Sequence, residues 1–361
     1  MTDRVVVAGS GIVGASAAYH LSLRGVAVTV IDRPLAGQAT GAGAGIVCPW
    51  VDHDGDDAWY HLALEGARYY PRLAGLLAED GEPGTSHAEV GALLVAEDPA
   101  ELVQVEALLR SRRPSAPEMG EISEVDRPGA LFPPLSPGLV ALRVGGAARV
   151  DGRAVRDALM RAAVRHGARV LTGAVSLTAS GAPLLDGSPV ESDAVVVAAG
   201  AWSGEVCRPL GHMTPVRPRR GQIVHAGLPG VETAGWPIVL PRLGPYLLGF
   251  PGSRVVLGAT VEDAGFDPRV TAGGLAEVLA AGVRLAPGLA DATVTETRAG
   301  LRPVSADGLP LLGMLREGVV VATGLSAYGL TAGPYAGLVA ACLAVGETPP
   351  LDVAPYSPTR G

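Results

Sequence analysis

The sequence predicts an α/β protein in which a parallel-sheet domain is interrupted by a second domain, an α+β unit with a mixed sheet. Three observations lead to this prediction. A strand–helix–strand pattern fills about the first thirty residues. Short β-like runs separated by Gly and Pro turns fill residues 215–290, and the chain has 361 residues. A chain of this length favours about two domains, each with its own core.

The first strand–helix–strand unit lies at the start of the sequence. Residues 4–8 (RVVVA) form an apolar β-like run, a helix is expected from Ile12 to Arg24 with Gly25 closing it, and residues 26–31 (VAVTVI) are again apolar and β-like. This order is typical of a parallel sheet whose strands are buried on both faces.

A second unit begins near the middle of the chain. Asp151 is a suitable N-cap for a helix that presents one apolar face and ends at Gly167, before the strand-like ARVL. Another buried strand is expected at residues 194–200 (AVVVAAG). The sequence therefore contains several βα elements of one parallel sheet.

The domain boundaries follow from the points where the strand–helix–strand pattern gives way to short β-like runs and Pro-rich loops. We predict a discontinuous parallel-sheet domain of residues 1–82, 139–214 and 291–361, and an interrupting domain of residues 83–138 and 215–290.

Charge and composition limit the possible partners. Arg supplies all 28 basic residues against 36 acidic ones, which gives a net charge of −8. This balance argues against nucleic acid or an anionic membrane as the main partner and favours a small molecule. The absence of lysine excludes a Schiff-base lysine and a P-loop lysine.

The cysteines indicate the compartment. Cys48, Cys207 and Cys342 are odd in number and widely spaced, so they predict neither a disulfide framework nor a metal site. No charged segment precedes an apolar signal-like run, and apolar stretches are interrupted before bilayer length. We expect a cytoplasmic protein without a transmembrane segment.

The first βα turn carries a phosphate-binding motif. Gly9-Ser10-Gly11-Ile12-Val13-Gly14 is a GxGxxG sequence between a buried strand and a helix. The three glycines permit the tight turn, the approach of a pyrophosphate and close helix packing, and Asp32 at the end of the next strand can accept hydrogen bonds from a ribose. A Rossmann-like domain is thus predicted; a chance turn in a protein with 50 glycines is the alternative reading. The motif alone does not separate NAD from FAD.

Seven ordered blocks resemble the FAD-dependent D-amino-acid oxidase/glycine oxidase (DAO) superfamily. They are the GxGxxG motif, ATGAGAGI (39–46), VVVAAGAWS (195–203), RPRRGQIV (217–224), PYLLGF…VVLGATVED (245–263), AGLRPVSADGLPLLG (299–313) and GLSAYGLTAGPYAGLVAACL (324–343). The resemblance implies a Rossmann-like FAD-binding domain with an interrupting mixed-sheet α+β substrate domain.

Motif and resemblance together imply the residues that bind FAD. These are Gly9, Gly11, Ile12, Val13, Gly14, Asp32, Arg33, Thr40, Gly41, Gly45, Ile46, Val175, Ala199, Gly200, Trp202, Gly300, Arg302, Gly329, Leu330 and Thr331. One branch of the superfamily attaches FAD through a cysteine after the GLRP block, where this chain has Met314. Non-covalent FAD is therefore expected.

Two residues are candidates for the catalytic site. In similar enzymes the arginine of GLRP, here Arg302, clamps the substrate carboxylate, for which a planar guanidinium is well suited. Tyr246 matches a tyrosine beside the substrate and could add a hydrogen bond. A solvated arginine and a core tyrosine are the plainer readings, and Arg298 is a weaker candidate for the same role.

The segment Gly329-Leu330-Thr331 resembles the one that faces the pyrimidine edge of the flavin. It is expected just ahead of a terminal helix running from Pro334 to about Val345. The amides of a helix N-terminus would stabilise the negative charge of a reduced flavin.

The resemblance implies oxidative deamination of a small amino acid: a D-amino acid, glycine or an N-alkyl or cyclic amino acid. O2 or a quinone or protein carrier would take the electrons. A dehydrogenase of the same family, a non-catalytic flavin subunit of an amine dehydrogenase and an NAD(P)-dependent dehydrogenase remain alternatives. The sequence leaves open the substrate, the oligomeric state, a homo-oligomer included, and the role of Cys48 and of the loop 48–60.

Overall fold

The computed structural model describes residues 2–53, 57–211, 215–242 and 244–360. Residues 54–56 of the loop 48–60 lie outside the described residues. The strands described are β1 (Arg4–Ala8), β2 (Ala27–Asp32), β3 (Ile46–Val47), β4 (Ala88–Glu89), β5 (Ala92–Ala96), β6 (Ile122–Val125), β7 (Val140–Val144), β8 (Ala148–Arg149), β9 (Arg169–Thr172), β10 (Val175–Leu177), β11 (Pro183–Leu185), β12 (Ser188–Pro189), β13 (Ala194–Val197), β14 (Val216–Gly227), β15 (Ile238–Pro241), β16 (Tyr246–Phe250), β17 (Arg254–Gly258), β18 (Thr293–Ser305), β19 (Leu311–Arg316) and β20 (Val319–Thr323). The α-helices are α1 (Ile12–Leu23), α2 (Ala39–Ala42), α3 (Ala58–Glu79), α4 (Val103–Arg112), α5 (Gly152–Arg165), α6 (Ser203–Cys207), α7 (Ala272–Leu285) and α8 (Gly329–Ala344).

The predicted parallel sheet has six strands in the order β19-β20-β13-β1-β2-β9. All neighbours are parallel except β19, which pairs antiparallel with β20 at one edge. Strands β13 and β20 are buried throughout, because runs of valine and alanine suit a sheet covered on both faces. Helix α1 packs against α5 and α8, so its sides are buried as well.

Helix α8 corrects one detail of the prediction. It begins at Gly329, whereas the sequence placed Pro334 in the first turn. Proline inside a helix leaves the carbonyl four residues earlier without its amide donor. That carbonyl belongs to Leu330, and the hydroxyl of Tyr70, on α3, donates to it. A tertiary hydrogen bond therefore lets the helix continue through the proline.

Helix α8 lies within an apolar helical segment that starts three residues earlier, at Ser326. The segment Ser326–Ala344 is long and apolar enough to cross a membrane, but 72% of its most apolar part is buried inside the fold. It is thus a core helix of the six-stranded domain.

The second large sheet has eight strands in the order β18-β14-β17-β16-β15-β5-β7-β6. Its one parallel pair, among the described residues, is β15 with β5, so the sheet is mixed as predicted. Strands β7 and β18 fall in ranges that the sequence assigned to the other domain, yet they pair here with β5, β6 and β14. The exact domain boundaries stay a prediction, whereas the α/β fold class with two large sheets is confirmed.

Candidate active site

A cavity of about 580 Å³ lies between the two large sheets. Such a volume is typical of a small-molecule or cofactor site. Nearly all of the predicted site residues line it: Gly9, Gly11, Ile12, Val13, Asp32, Arg33, Thr40, Gly45, Ile46, Val175, Ala199, Gly200, Trp202, Tyr246, Gly300, Arg302, Gly329, Leu330 and Thr331. The exceptions are Gly14 and Gly41. Their individual roles toward a cofactor or substrate stay predictions.

The glycines of the GxGxxG motif have three different environments. Gly9 has a φ of +102°, a conformation that L side chains rarely adopt, and Gly14 lies so close to the strand that a Cβ atom would come within 1.9 Å of the Gly9 carbonyl oxygen. A Cβ on Gly11 would meet only the Thr40 hydroxyl, at 3.4 Å, and Gly11 lines the cavity. Gly14 thus serves helix packing, while Gly11 leaves open space where a pyrophosphate can approach.

The carboxylate of Asp32 reaches the same cavity from the end of β2. It accepts a hydrogen bond from the Ser10 hydroxyl, and the Gln38 amide lies 3.3 Å away. The remaining lone pairs of the carboxylate can accept hydrogen bonds from the hydroxyl groups of a ribose. Gln38 was not identified from the sequence, because only the folded turn brings it to Asp32.

Two helices direct their N-termini into the cavity, α1 with Ile12 and Val13 and α8 with Gly329, Leu330 and Thr331. One polar group at each terminus already has a hydrogen-bond partner within the protein. The backbone amide of Ile12 donates to the Thr40 hydroxyl at 2.9 Å, and the Thr331 hydroxyl donates to the Ile46 carbonyl at 2.9 Å. First-turn amides lack intrahelical acceptors, so both ends favour negative charge. This donor set and the open space at Gly11 fit a dinucleotide with a pyrophosphate and a flavin that becomes anionic on reduction.

The guanidinium of Arg302 lies across the adjoining strand β14. A Cβ atom on Gly221 would be 2.2 Å from Nη1 of Arg302, so a side chain at position 221 would force the guanidinium to leave its present position. Nη1 donates to the Thr260 carbonyl at 3.2 Å and lies 3.4 Å from the Arg220 carbonyl. These contacts fix the side chain and leave its other donors for a ligand. No ion pair forms between Arg302 and a carboxylate among the residues that the structure describes.

Tyr246 occupies the next part of the same sheet. It pairs with Gly258 in the β16–β17 ladder, and a Cβ atom there would come within 2.8 Å of the Tyr246 hydroxyl. Burial raises the pKa of the Tyr246 phenol, and the neighbouring positive charge of Arg302 partly offsets this. The phenol is therefore a protonated hydrogen-bond donor at neutral pH. Gly221 and Gly258, which the sequence did not single out, make room for the pair.

Three further residues around the cavity extend the predicted site. Cys48 lines it but is 3% exposed, and burial raises the pKa of its thiol, which suits a small buried side chain better than a reactive one. Asp52 and Tyr328 also line the cavity, and the Tyr328 hydroxyl donates to the Asp52 carboxylate. Tyr328 directly precedes the predicted flavin segment, which is the one sequence signal that could have identified it.

Gly41 and Arg298 lie outside this cavity. They line a smaller neighbouring one of about 370 Å³, and the Gly41 carbonyl accepts a hydrogen bond from Nη1 of Arg298 at 3.1 Å. Arg298 also pairs with Glu296 at 2.7 Å. The guanidinium of Arg298 is thus held on both sides and, unlike that of Arg302, it has a carboxylate partner.

Comparison with known proteins identifies the family of this chain. The family model described as "FAD dependent oxidoreductase" (DAO) matches residues 4–343. The chain is 44% identical to the uncharacterized oxidoreductase YurR of Bacillus subtilis, over 98% of both chains. It is 32% identical to the glycine oxidase of Pseudomonas aeruginosa, over 99% of both.

Solved structures are similar over the same length. The iminodiacetate oxidase IdaA of Chelativorans sp. BNC1 superposes with a TM-score of 0.96 at 46% identity, covering 98% of this chain and 99% of that one. The glycine oxidase of Geobacillus kaustophilus gives a TM-score of 0.89 at 28% identity, covering 100% and 99%.

Proposed function

Because the chain belongs to the DAO family of FAD dependent oxidoreductases, we propose that this flavoenzyme oxidises the Cα–N bond of a small amino acid. FAD is the cofactor of the family, and when bound it supplies an electron acceptor for a hydride from Cα. The substrate loses that hydride and one amine proton, which goes to solvent. Water then hydrolyses the resulting imine to a 2-oxo acid and ammonia or an amine. Candidate substrates are glycine, D-amino acids and N-alkyl or cyclic amino acids, including iminodiacetate.

The observation that carries the proposal is the Arg302–Tyr246 pair in the cavity that also contains the dinucleotide motif. A guanidinium without a carboxylate partner among the described residues can take the substrate carboxylate in a bidentate manner. The protonated phenol can donate a further hydrogen bond. Together they would fix Cα against the cofactor, so catalysis rests on orientation and needs no strong base.

We further propose that O2 accepts the electrons, in keeping with the oxidases among the relatives. The absence of lysine means that no ammonium assists oxygen. A quinone or protein carrier is the alternative acceptor, and a flavin subunit without turnover of its own is the alternative assignment. The family favours FAD over NAD(P). Non-covalent attachment and a cytoplasmic location stay predictions.

Anaerobic reduction of the purified holoenzyme tests this function. We expect the visible flavin absorbance to bleach with at least one member of a panel of glycine, sarcosine, iminodiacetate, proline and D-amino acids. Admission of air should restore the colour of an oxidase within seconds, whereas a dehydrogenase should need an added quinone. A flavin that stays oxidised with the whole panel would contradict the proposed reaction.

A further inference from the structure

We propose that the substrate carries two carboxylates, one bound by Arg302 and the other by Arg242 at the mouth of the same cavity. This inference rests on the proposed function and specifies its substrate class. Arg242 directly follows β15, whose residues Leu240 and Pro241 line the cavity with it. It was not among the residues that the sequence indicated.

Arg242 is exposed like other surface arginines, but it lines the same cavity as Arg302. Three of the described arginines line the cavity. Arg33 faces Glu205, with the charged atoms 3.8 Å apart. Within the described part of the chain, neither Arg242 nor Arg302 forms an ion pair with a carboxylate. Two guanidinium groups without counterions therefore line one cavity, and each can donate hydrogen bonds to a carboxylate of a ligand.

The two arginines reach the cavity from the same sheet. Arg242 and Tyr246 flank the connection between β15 and β16, and Tyr246 neighbours Arg302. Apolar side chains surround this end, because Cys48, Leu94 and Leu240 belong to one packed cluster with Tyr246. A ligand lying here would contact an apolar wall with a cation at each of two points. Arg242 is exposed and Arg302 is half-buried, so the loss of water strengthens the charge pair at Arg302 more than the one at Arg242.

A carboxylate also lies near this end of the cavity. The carboxylate of Asp52 lines the cavity, and its loop packs into the same cluster through Val51. Two guanidinium groups and one carboxylate complement a substrate with two carboxylates and a protonated secondary amine. An N-carboxymethyl amino acid has this set of charges, whereas glycine and sarcosine have only one carboxylate.

A ligand that cannot be oxidised tests the binding step separately from the reaction. Diglycolate has the two carboxylates of iminodiacetate with an ether oxygen in place of the amine, and methoxyacetate is its one-carboxylate counterpart. Binding of each to the holoenzyme is titrated by the change in the flavin spectrum, for the wild type, Arg242→Gln and a control. Arg284→Gln is the control, because Arg284 is an exposed arginine on α7 outside the cavity.

We expect Arg242→Gln to weaken diglycolate binding by about tenfold or more and to change methoxyacetate binding by less than about twofold, since a hydrogen-bonded charge pair is lost only for the former. Arg284→Gln should leave both unchanged. In turnover, kcat/KM for iminodiacetate should fall by a similar factor while that for sarcosine holds. The proposal is overturned if Arg242→Gln weakens both ligands equally or neither, or if the wild type does not prefer diglycolate.

Failure of the proposed reaction looks different from failure of this inference. If no amino acid reduces the flavin but diglycolate binding still depends on Arg242, the dicarboxylate site stands and the amine oxidation does not. If iminodiacetate reduces the flavin equally well in Arg242→Gln and the wild type, the oxidation stands and the role of Arg242 is wrong.

Discussion

The guanidinium of Arg302 occupies the space that a side chain at Gly221 would fill, with only 2.2 Å between Nη1 and the position of a Cβ atom. The position of Arg302, the arginine proposed to bind the substrate, therefore depends on a glycine of the neighbouring strand, eighty-one residues earlier by number. Two carbonyl groups hold the guanidinium on its other side. The Thr260 carbonyl accepts a hydrogen bond from Nη1, and the Arg220 carbonyl lies near Nη1.

We predict that Gly221→Ala displaces Arg302 and lowers kcat/KM for the amino-acid substrate by about 100-fold, because a misplacement of about 1 Å can have an effect of that size. The flavin content should stay near that of the wild type. Steady-state kinetics and the ratio of visible to ultraviolet absorbance measure the two effects. Gly273→Ala is the matched control, since a Cβ atom there meets nothing within 4 Å. Unchanged kinetics in Gly221→Ala would contradict the role assigned to Arg302.

Replacement of Arg302 itself should separate charge from geometry. Arg302→Lys keeps the positive charge but loses the planar fork, so kcat/KM should fall by roughly 10- to 100-fold. Arg302→Ala loses both the charge and the planar fork, so its kcat/KM should fall further. Both variants should remain yellow, and single-turnover reduction of the flavin should reveal weaker substrate binding. Loss of colour with intact substrate binding would reverse the assignment.

Gly11 gives the complementary test of the cofactor site. A Cβ atom at Gly11 meets only the Thr40 hydroxyl within the protein, at 3.4 Å, and Gly11 lines the cavity, so we expect Gly11→Val to fold and fail to bind flavin. The expected product is a colourless protein with a wild-type circular dichroism spectrum. Gly75 is exposed on α3 and a Cβ atom there meets no atom within 4 Å, so Gly75→Val should stay yellow. If Gly11→Val keeps its flavin, the pyrophosphate does not lie at this turn.

The carboxylate of Glu262 should make stability depend on pH. Burial alone would raise the pKa of Glu262, but hydrogen bonds from Arg220, Thr260 and Gln222 outweigh burial and lower it to about 2. A folded pKa below that of the unfolded chain adds stability above the unfolded value, near pH 4.5, and this stability is lost as pH falls toward 2. With screening at a side chain that is 26% exposed, the contribution is about 1–2 kcal/mol.

Urea unfolding of Glu262→Gln against the wild type measures this effect. The variant should be less stable by that amount from pH 5 to 7, and the difference should shrink steadily below pH 4.5. A difference that is constant with pH would mean that the lost stability is not electrostatic.

The parts of the fold that the sequence predicted are those with local causes. Strands β1 and β2 and helix α1 lie within one or two residues of their expected ranges, because the apolar runs and the glycines that end them act at short range. The start of α8 was wrong because the hydrogen bond that permits Pro334 inside the helix comes from Tyr70, 260 residues from Leu330. No local signal carries that information.

The residues of the candidate site also fall into two groups, those that the sequence indicated and those that only the folded structure brings in. The motif residues and Arg302 belong to contiguous blocks whose order could be compared with a family. Gly221 matters because of a side chain on another strand, and Asp52 because of Tyr328, 276 residues away. Such residues acquire their roles only when the sheets pack together, so a pattern along the chain does not contain them.

The packing of α1 against α8 has a consequence for truncated chains. A Cβ atom on Gly337 would come within 2.5 Å of the Val13 carbonyl, and the Ser16 hydroxyl donates to the Pro334 carbonyl, 318 residues away, at 2.6 Å. The two helices that point into the cofactor cavity therefore support each other across almost the whole sequence. A chain that lacks α8 lacks one wall of the cavity, so we expect a version truncated before Gly329 to bind no flavin even though it keeps the whole GxGxxG motif.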